Sequence, residues 1–166
     1  MSNLLILGAG GYGHVIKECA QAMNIYEKID YLDDMSIEAI GKCDEYLQHI
    51  DEYKSAYPAF GNNMLRMQWI MRLEAAHYVL PTFIHPTAYV SPSAKLACGV
   101  AILAHATVGA RAVIDKGVII NAAAVADHNC IIREGVHVAP AAVVKASAVV
   151  EKLAKIESGE VLFAGR

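Results

Sequence analysis

Every sixth residue of the second half of the chain, from Ile84 through Val90, Leu96, Ile102, Val108, Ile114 and Ile120 to Leu162, is a branched aliphatic, with Ala126 the one exception in fourteen. Four residues after each of the first twelve stands a small or thin side chain: Ala88, Ala94, Val100, Ala106, Ala112, Val118, Ala124, Cys130, Val136, Ala142, Ala148 and Ala154. Residues two apart on a strand face the same side, so each small residue and the aliphatic that follows it both point inward. Pro86, Pro92 and Pro140 fall two after an aliphatic, and Gly99, Gly117, Gly135, Gly159 and Gly165 fall three after one, where a turn favours positive φ. Short strands with a corner every six residues describe a parallel β-helix, three hexads to a triangular coil. An irregular sandwich would not hold one phase for so long. The run provides about four and a half coils, a prism ~22 Å tall at ~4.8 Å per coil. The period does not set the hand of the coil, and general crossover rules favour a right-handed one.

This register explains an unusual composition. The chain of 166 residues is 55% hydrophobic and only 19% charged, where about 25% charge is ordinary. A membrane span is excluded, because no stretch supplies the ~20 consecutive apolar residues it needs. No charged region precedes the short apolar run at residues 4–7, so no signal peptide is expected. The excess lies in the second half, which has 19 Ala and 13 Val from Ile84 onward against 8 and 2 before it. Two domains are expected, residues 1–80 and 81–166. Outward-facing Val113, Ile119, Val125, Ile131, Val143 and Val149 line flanks that further copies of the prism would bury, and three-fold packing suits a triangular column. A net charge of −3 without a basic stripe argues against a nucleic-acid partner. Cys19, Cys43, Cys98 and Cys130 form no CxxC pair, so neither a zinc site nor a disulfide framework is indicated. Reduced thiols suit a cytoplasmic protein.

The first half reads as a Rossmann-like α/β unit. An apolar strand at residues 3–7 leads into a glycine turn, a helix at 14–23 with Val15, Ile16, Cys19, Ala20 and Met23 on one face, and a strand at 28–32 ending in Asp33 and Asp34. A further helix is expected at 64–77, with Leu65, Trp69, Leu73 and Ala76 aligned, while residues 35–54 show no clear period. Gly8, Gly10 and Gly13 match the phosphate-cradling GxGxxG pattern between a strand and a helix. About 80 residues hold only one half of a dinucleotide fold, so a mononucleotide or sugar nucleotide fits better than NAD. Asp33 and Asp34 are placed to accept hydrogen bonds from a ribose or a base. The alternative is a glycine turn that only closes the strand against the helix. In the β-helix, polar residues are sparse. His128 and Asn129 occupy a corner, and Asn121, Asp127 and His137 face outward. A histidine in a cleft between prisms can serve as a general base near neutral pH, which favours His128; His85 and His105 read as surface residues.

The chain as a whole resembles the hexapeptide-repeat sugar acetyltransferases, the group that includes sialic acid O-acetyltransferases and N-acetyltransferases of UDP-4-amino-sugars. The resemblance rests on Leu5-Ile6-Leu7-Gly8-Ala9-Gly10-Gly11, Tyr31-Leu32-Asp33-Asp34, Gly61-Asn62-Asn63 with Arg66, Ile84-His85-Pro86, Val90-Ser91-Pro92, Ile120-Asn121, and Asp127-His128-Asn129-Cys130 with His137-Val138. It implies a left-handed β-helix, a homotrimer, an active site between subunits, and acetyl-CoA and a sugar nucleotide as substrates, with no metal. Gly8, Gly10, Gly11, Tyr12, Asp33, Asp34, Gly61 and Asn62 would hold the nucleotide. His128 would be the catalytic base, and Asn121 would line the acceptor pocket. His137 and Ala146 would lie along the acetyl-CoA site. The family commonly has an acid after the catalytic histidine, where this chain has Asn129. Asp127 or Glu134 would then be the carboxylate available to His128. Tyr12 stands where the family often has a histidine. Glycine-containing coils that follow in the family are replaced here by Ala141, Ala142 and Ala146. The alternative function is a non-catalytic nucleotide-sugar-binding or scaffold trimer that has lost the CoA site.

Overall fold

In the computed structural model, which describes residues 2–165, Leu4, Leu5, Ile6 and Leu7 are completely buried in β1 (Ser2–Leu7). A continuous apolar run of this kind marks a parallel strand covered on both faces. After it come α1 (Gly11–Met23), β2 (Tyr26–Leu32), β3 (Ala39–Gly41), a 3-10 helix at Cys43–His49, β4 (Ser55–Pro58) and α2 (Asn63–Ala75). The four strands form an all-parallel sheet in the order β3-β2-β1-β4. Pro58 is tolerated because β4 is an edge strand. These elements make one unit, Met1–Pro81; the second is Thr82–Arg166.

Three local expectations are corrected. α1 begins at Gly11 rather than residue 14, and its buried face is Gly13, Ile16, Cys19 and Ala20, with Val15 turned out. The α2 stripe is rotated: Leu65 is exposed and Arg66, Trp69, Ile70 and Leu73 are buried, because a hydrogen-bonded arginine takes a core position. Residues 35–54 hold β3 and the 3-10 helix. The helix is started by Glu45 Oε2 accepting from the Lys42 N–H at 2.7 Å, and by Asp34 Oδ1 accepting from the Cys43 N–H at 3.1 Å.

The second unit is a left-handed parallel β-helix of two-residue strands from Phe83–Ile84 to Val161–Leu162. Strands pair in parallel with those 18 residues on, as in Val113↔Ile131 and Ile119↔His137, and so build three sheets. The inward hexad positions form the core: Ile102, Val108, Ile120, Ile132, Val138 and Val144 are 0% exposed, as are Val100, Ala112, Ala124, Cys130 and Val136. Outward Ile119 is also fully buried within the chain and so belongs to no uncovered flank, whereas Val149 is 47% exposed.

The corners carry a feature that residue type does not announce. Each third position after an inward aliphatic, from Gly99 to Gly165, has a positive φ, and seven of these are not glycine: His105, Arg111, Ala123, Asn129, Ala141, Ser147 and Leu153, at 56° to 61°. An L-residue in this conformation costs about 1–2 kcal/mol. Hydrogen bonds from coil to coil offset the strain. The N–H groups of Ala123, Asn129 and Ala141 donate to the carbonyls of Ala104, Ala110 and Ala122, each at 2.9 Å. On the lowest coil, where Thr87 and Ser93 lack the positive φ, their hydroxyls accept from the His105 and Arg111 N–H groups at 3.1 Å.

Candidate functional site

In the first unit β1 lies between β2 and β4, so the chain reverses its strand order beside β1. Open α/β sheets bind ligands at the carboxyl ends of strands at such a switch point. The glycine turn after β1 and the loop of residues 59–62 after β4 both emerge there. Two glycines of the turn are required by the fold. Gly8 has φ +99° with Phe60 packed close, and a Cβ on Gly13 would lie 2.1 Å from the Gly8 carbonyl oxygen. Gly10, Gly11 and Gly61 differ, because a Cβ at any of them would meet nothing within 4 Å, and none has a positive φ. Their bare backbone at the start of α1 and beside the β4 loop suits close approach of a phosphate-bearing ligand.

The other residues expected to bind are mostly engaged in shaping this rim. Asp33 Oδ2 accepts from the Ala9 N–H at 2.8 Å, and Oδ1 accepts from those of Met35 and Ser36 at 2.9 and 2.8 Å. The Ala9 N–H, and after it that of Met35, hold the Asp33 carboxyl below its usual value. Asp34 is exposed but directs Oδ1 to the backbone of Cys43. Asn62 caps α2, its Oδ1 accepting from the Leu65 N–H at 2.9 Å. The Tyr12 and Tyr57 hydroxyls are 2.8 Å apart, and burial pushes both phenols up, so both stay protonated. His14 lies 3.3 Å from the Tyr31 hydroxyl through Nδ1, while its Nε2 faces Glu38 at 4.0 Å. Arg66, 0% exposed, ties the β4 loop to α2 by donating to the Phe60 carbonyl and to Asn63 Oδ1, each at 2.9 Å. A groove of about 400 Å³ lined by Lys17, Gln21, Asn24, Tyr26, Glu27 and Ile29 lies where α1 ends and β2 begins. That is the amino end of the strands, and it holds none of the expected site residues.

In the second unit His128 is exposed on the corner between strands Val125–Ala126 and Ile131–Ile132. Its ring is oriented by Asn129, whose Nδ2 lies 2.8 Å from Nδ1. Asp127 holds the backbone instead, Oδ1 accepting from the His128 N–H at 2.7 Å. Glu134 is paired with Lys152 at 2.8 Å, and this contact holds its carboxyl below the usual value. The ring's neighbour is therefore a neutral amide; neither Asp127 nor Glu134 takes the orienting place. Ala146 sits in the corner one coil above, next to Ser147, whose N–H donates to the His128 carbonyl at 3.1 Å. Asn121, at the preceding corner, meets His137 from the strand one coil above, its Nδ2 lying 2.9 Å from His137 Nε2. Along the chain, strand Val125–Ala126 lies between Asn121 and His128, and strand Ile131–Ile132 lies between His128 and His137.

Burial pushes the thiols of Cys19 and Cys130 up to about 11 and that of Cys43 to about 12, so none of the three supplies a thiolate near neutral pH. Among the described residues no three His, Cys, Asp or Glu side chains converge to hold a metal ion. No helix among them is long and apolar enough to cross a membrane. Tyr57 carries no motif signal that would mark it as part of the rim. Gly109, beside His128, is marked only by being the one glycine of the repeats that is out of phase.

Residues 3–73 match the family described as the PglD N-terminal domain. The UDP-N-acetylbacillosamine N-acetyltransferase of Bacillus subtilis is 34% identical over 113 residues, which are 63% of this chain and 52% of that protein. The match thus spans about half the length of that curated relative. The acetyltransferase domain of PglB from Neisseria gonorrhoeae, solved in complex with acetyl coenzyme A, is 34% identical with a TM-score of 0.92, over 96% of this chain and 81% of that one. PerB from Caulobacter crescentus, in complex with CoA and GDP-perosamine, is 23% identical with a TM-score of 0.84, over 99% and 90%. At that identity it is a likeness of fold.

The Asp33 contacts set a pH dependence. A carboxyl whose pKa is lowered on folding contributes stability that is present above the ordinary value of about 4 and is lost as pH falls through the lower, folded value. Asp33→Asn is therefore expected to lower the melting temperature at pH 7 and to flatten its decline below pH 4. Melting curves with the same acid slope in both proteins would contradict this role.

Proposed function

Because the chain belongs to the hexapeptide-repeat sugar acetyltransferase family, we propose that it moves an acetyl group from acetyl-CoA to the amino group of a nucleotide-linked sugar. The observation that carries this reading is the exposed corner where His128 is fixed through Nδ1, in a chain that overlays throughout on an acetyl-CoA-bound acetyltransferase domain. The amine attacks the thioester carbonyl, and Nε2 of His128 takes a proton from the attacking nitrogen. The carbon–sulfur bond then breaks, the CoA sulfur leaves with the electron pair, and the imidazolium returns a proton to it. The products are an amide and CoA. For Nε2 to accept that proton, Nδ1 must carry the ring's other one. Asn129 meets this need when its amide makes a half-turn that puts the oxygen against Nδ1. The Asn121–His137 pair is assigned to the acceptor pocket and the thioester oxygen, and Ala146 to the acetyl-CoA channel. Gly8, Gly10, Gly11, Tyr12 and Gly61 receive the nucleotide, with Asp33, Asp34 and Asn62 holding the rim in shape. Cysteines that form no disulfide with one another support work in the cytoplasm.

Release of CoA thiol with UDP- or GDP-linked amino sugars is the direct test. His128→Ala is expected to lower kcat by about 10²–10⁴-fold, and wild-type turnover in that variant would sink the mechanism. Sugar-nucleotide binding with no thiol release from any acceptor would favour a scaffold. The half-covered Val113, Val125, Ile131 and Val143 and the exposed Val149 support a trimer, so light scattering is expected to give about three times 17.9 kDa; a monomer would count against it. Asn129→Asp places a negative charge beside the imidazole and favours its protonated form. The acid limb of kcat/KM is expected to move up by about one pH unit, and an unmoved limb would show that Asn129 does not orient the base.

A further inference from the structure

We propose that Gly109 is a positioning residue for His128, setting how deeply that corner seats on the coil beneath it. The proposal rests on His128 being the catalytic base. A Cβ at Gly109 would lie 2.7 Å from the His128 backbone nitrogen, 2.9 Å from the Asp127 carbonyl carbon and 3.1 Å from the His128 Cα, all well inside the 3.4 Å of ordinary contact. Gly109 has no positive φ, so space and not conformation demands the glycine. The fold at large makes no such demand at this corner position. Ser91 one coil below and Asp127 and Lys145 above occupy the same place in the stack with side chains, as do Leu103 and Asn121 on the neighbouring edge.

The corner above cannot simply retreat from an added methyl group. The His128 N–H is held by Asp127 Oδ1 at 2.7 Å, and the Asn129 N–H donates to the Ala110 carbonyl at 2.9 Å. The His128 carbonyl in turn accepts from Ser147 at 3.1 Å. A Cβ at 109 therefore lifts the Asp127–His128 peptide against contacts with the coils below and above. The imidazole and its 2.8 Å contact with Asn129 move with it.

Misplacing a reacting group by about 1 Å can cost 10²-fold in rate. Gly109→Ala is expected to lower kcat about 10- to 100-fold while KM for acetyl-CoA and for the sugar nucleotide stays within about two-fold. In a Gly109→Ala, His128→Ala double variant the two losses are expected not to multiply, since one acts through the other. Wild-type kcat in Gly109→Ala, losses that multiply, or a variant that does not fold would each overturn the proposal; the last would make the glycine a requirement of the coil itself. A readout without turnover separates this inference from the reading it rests on. In histidine-ring NMR spectra Gly109→Ala is expected to shift the His128 signals while those of His85 and His105 stay in place. That shift in a protein with no transferase activity would uphold the placement and reject the chemistry, and unmoved His128 signals would overturn the placement.

Discussion

The 18-residue repeat distance governs the second unit, because it lets each coil lay its hydrogen bonds on the one below. Two-residue strands such as Val125–Ala126 are too short to stand alone. They persist because the same strand pairs on both sides, with Thr107–Val108 and Val143–Val144. The corners depend on the same translation. Ala123, Ala141 and Leu153 occupy a conformation that L-residues disfavour, and each has its N–H satisfied by the coil beneath. The strain at any one corner is thus relieved by neighbours that are themselves held in the same way, and the stack is stable only as a stack.

The two units present polar chemistry in different ways. In the first, charge faces the protein's own backbone. The Asp33 carboxylate and the Arg66 guanidinium tie down the turn after β1 and the loop after β4, leaving bare peptide at Gly10, Gly11 and Gly61 as the accessible surface. In the second, the apolar core is covered with β-branched residues, and a single corner carries a histidine, an asparagine and an aspartate in succession. There the carboxylate of Asp127 turns to the backbone and a neutral amide meets the ring. The amide thus orients the imidazole without placing a charge beside it.

Much of this was legible in the sequence, for a physical reason. A repeat signals each position many times, so Ile102, Ile120 and Ile132 support one another where a single strand's pattern would be ambiguous. The left-handed corners were legible where glycine stands, as at Gly99 and Gly135, and silent at Arg111 or Leu153, which have no intrinsic preference for that geometry. In the first unit the period of α2 misled, because Arg66 is buried with its guanidinium hydrogen-bonded to the Phe60 carbonyl and to Asn63, which a hydrophobic period does not register. β4 was hidden by its length of four residues and its terminal proline. Asp33 was marked by its place at the end of β2, but whether its oxygens face a ligand or the chain's own amides depends on residues brought together by folding.

The spacing of Val113, Ile131 and Val149 along one face carries a consequence for how such a chain can change in length. Adding or removing one residue within the prism would turn every later inward aliphatic out of phase, and a six-residue change would move each later strand to a different sheet. Only a whole coil restores both phase and sheet. The second unit is therefore quantised in length. It can accommodate insertions only as complete turns or as loops that leave and rejoin at the same corner, and a chemical corner can move along the column only in steps of one coil.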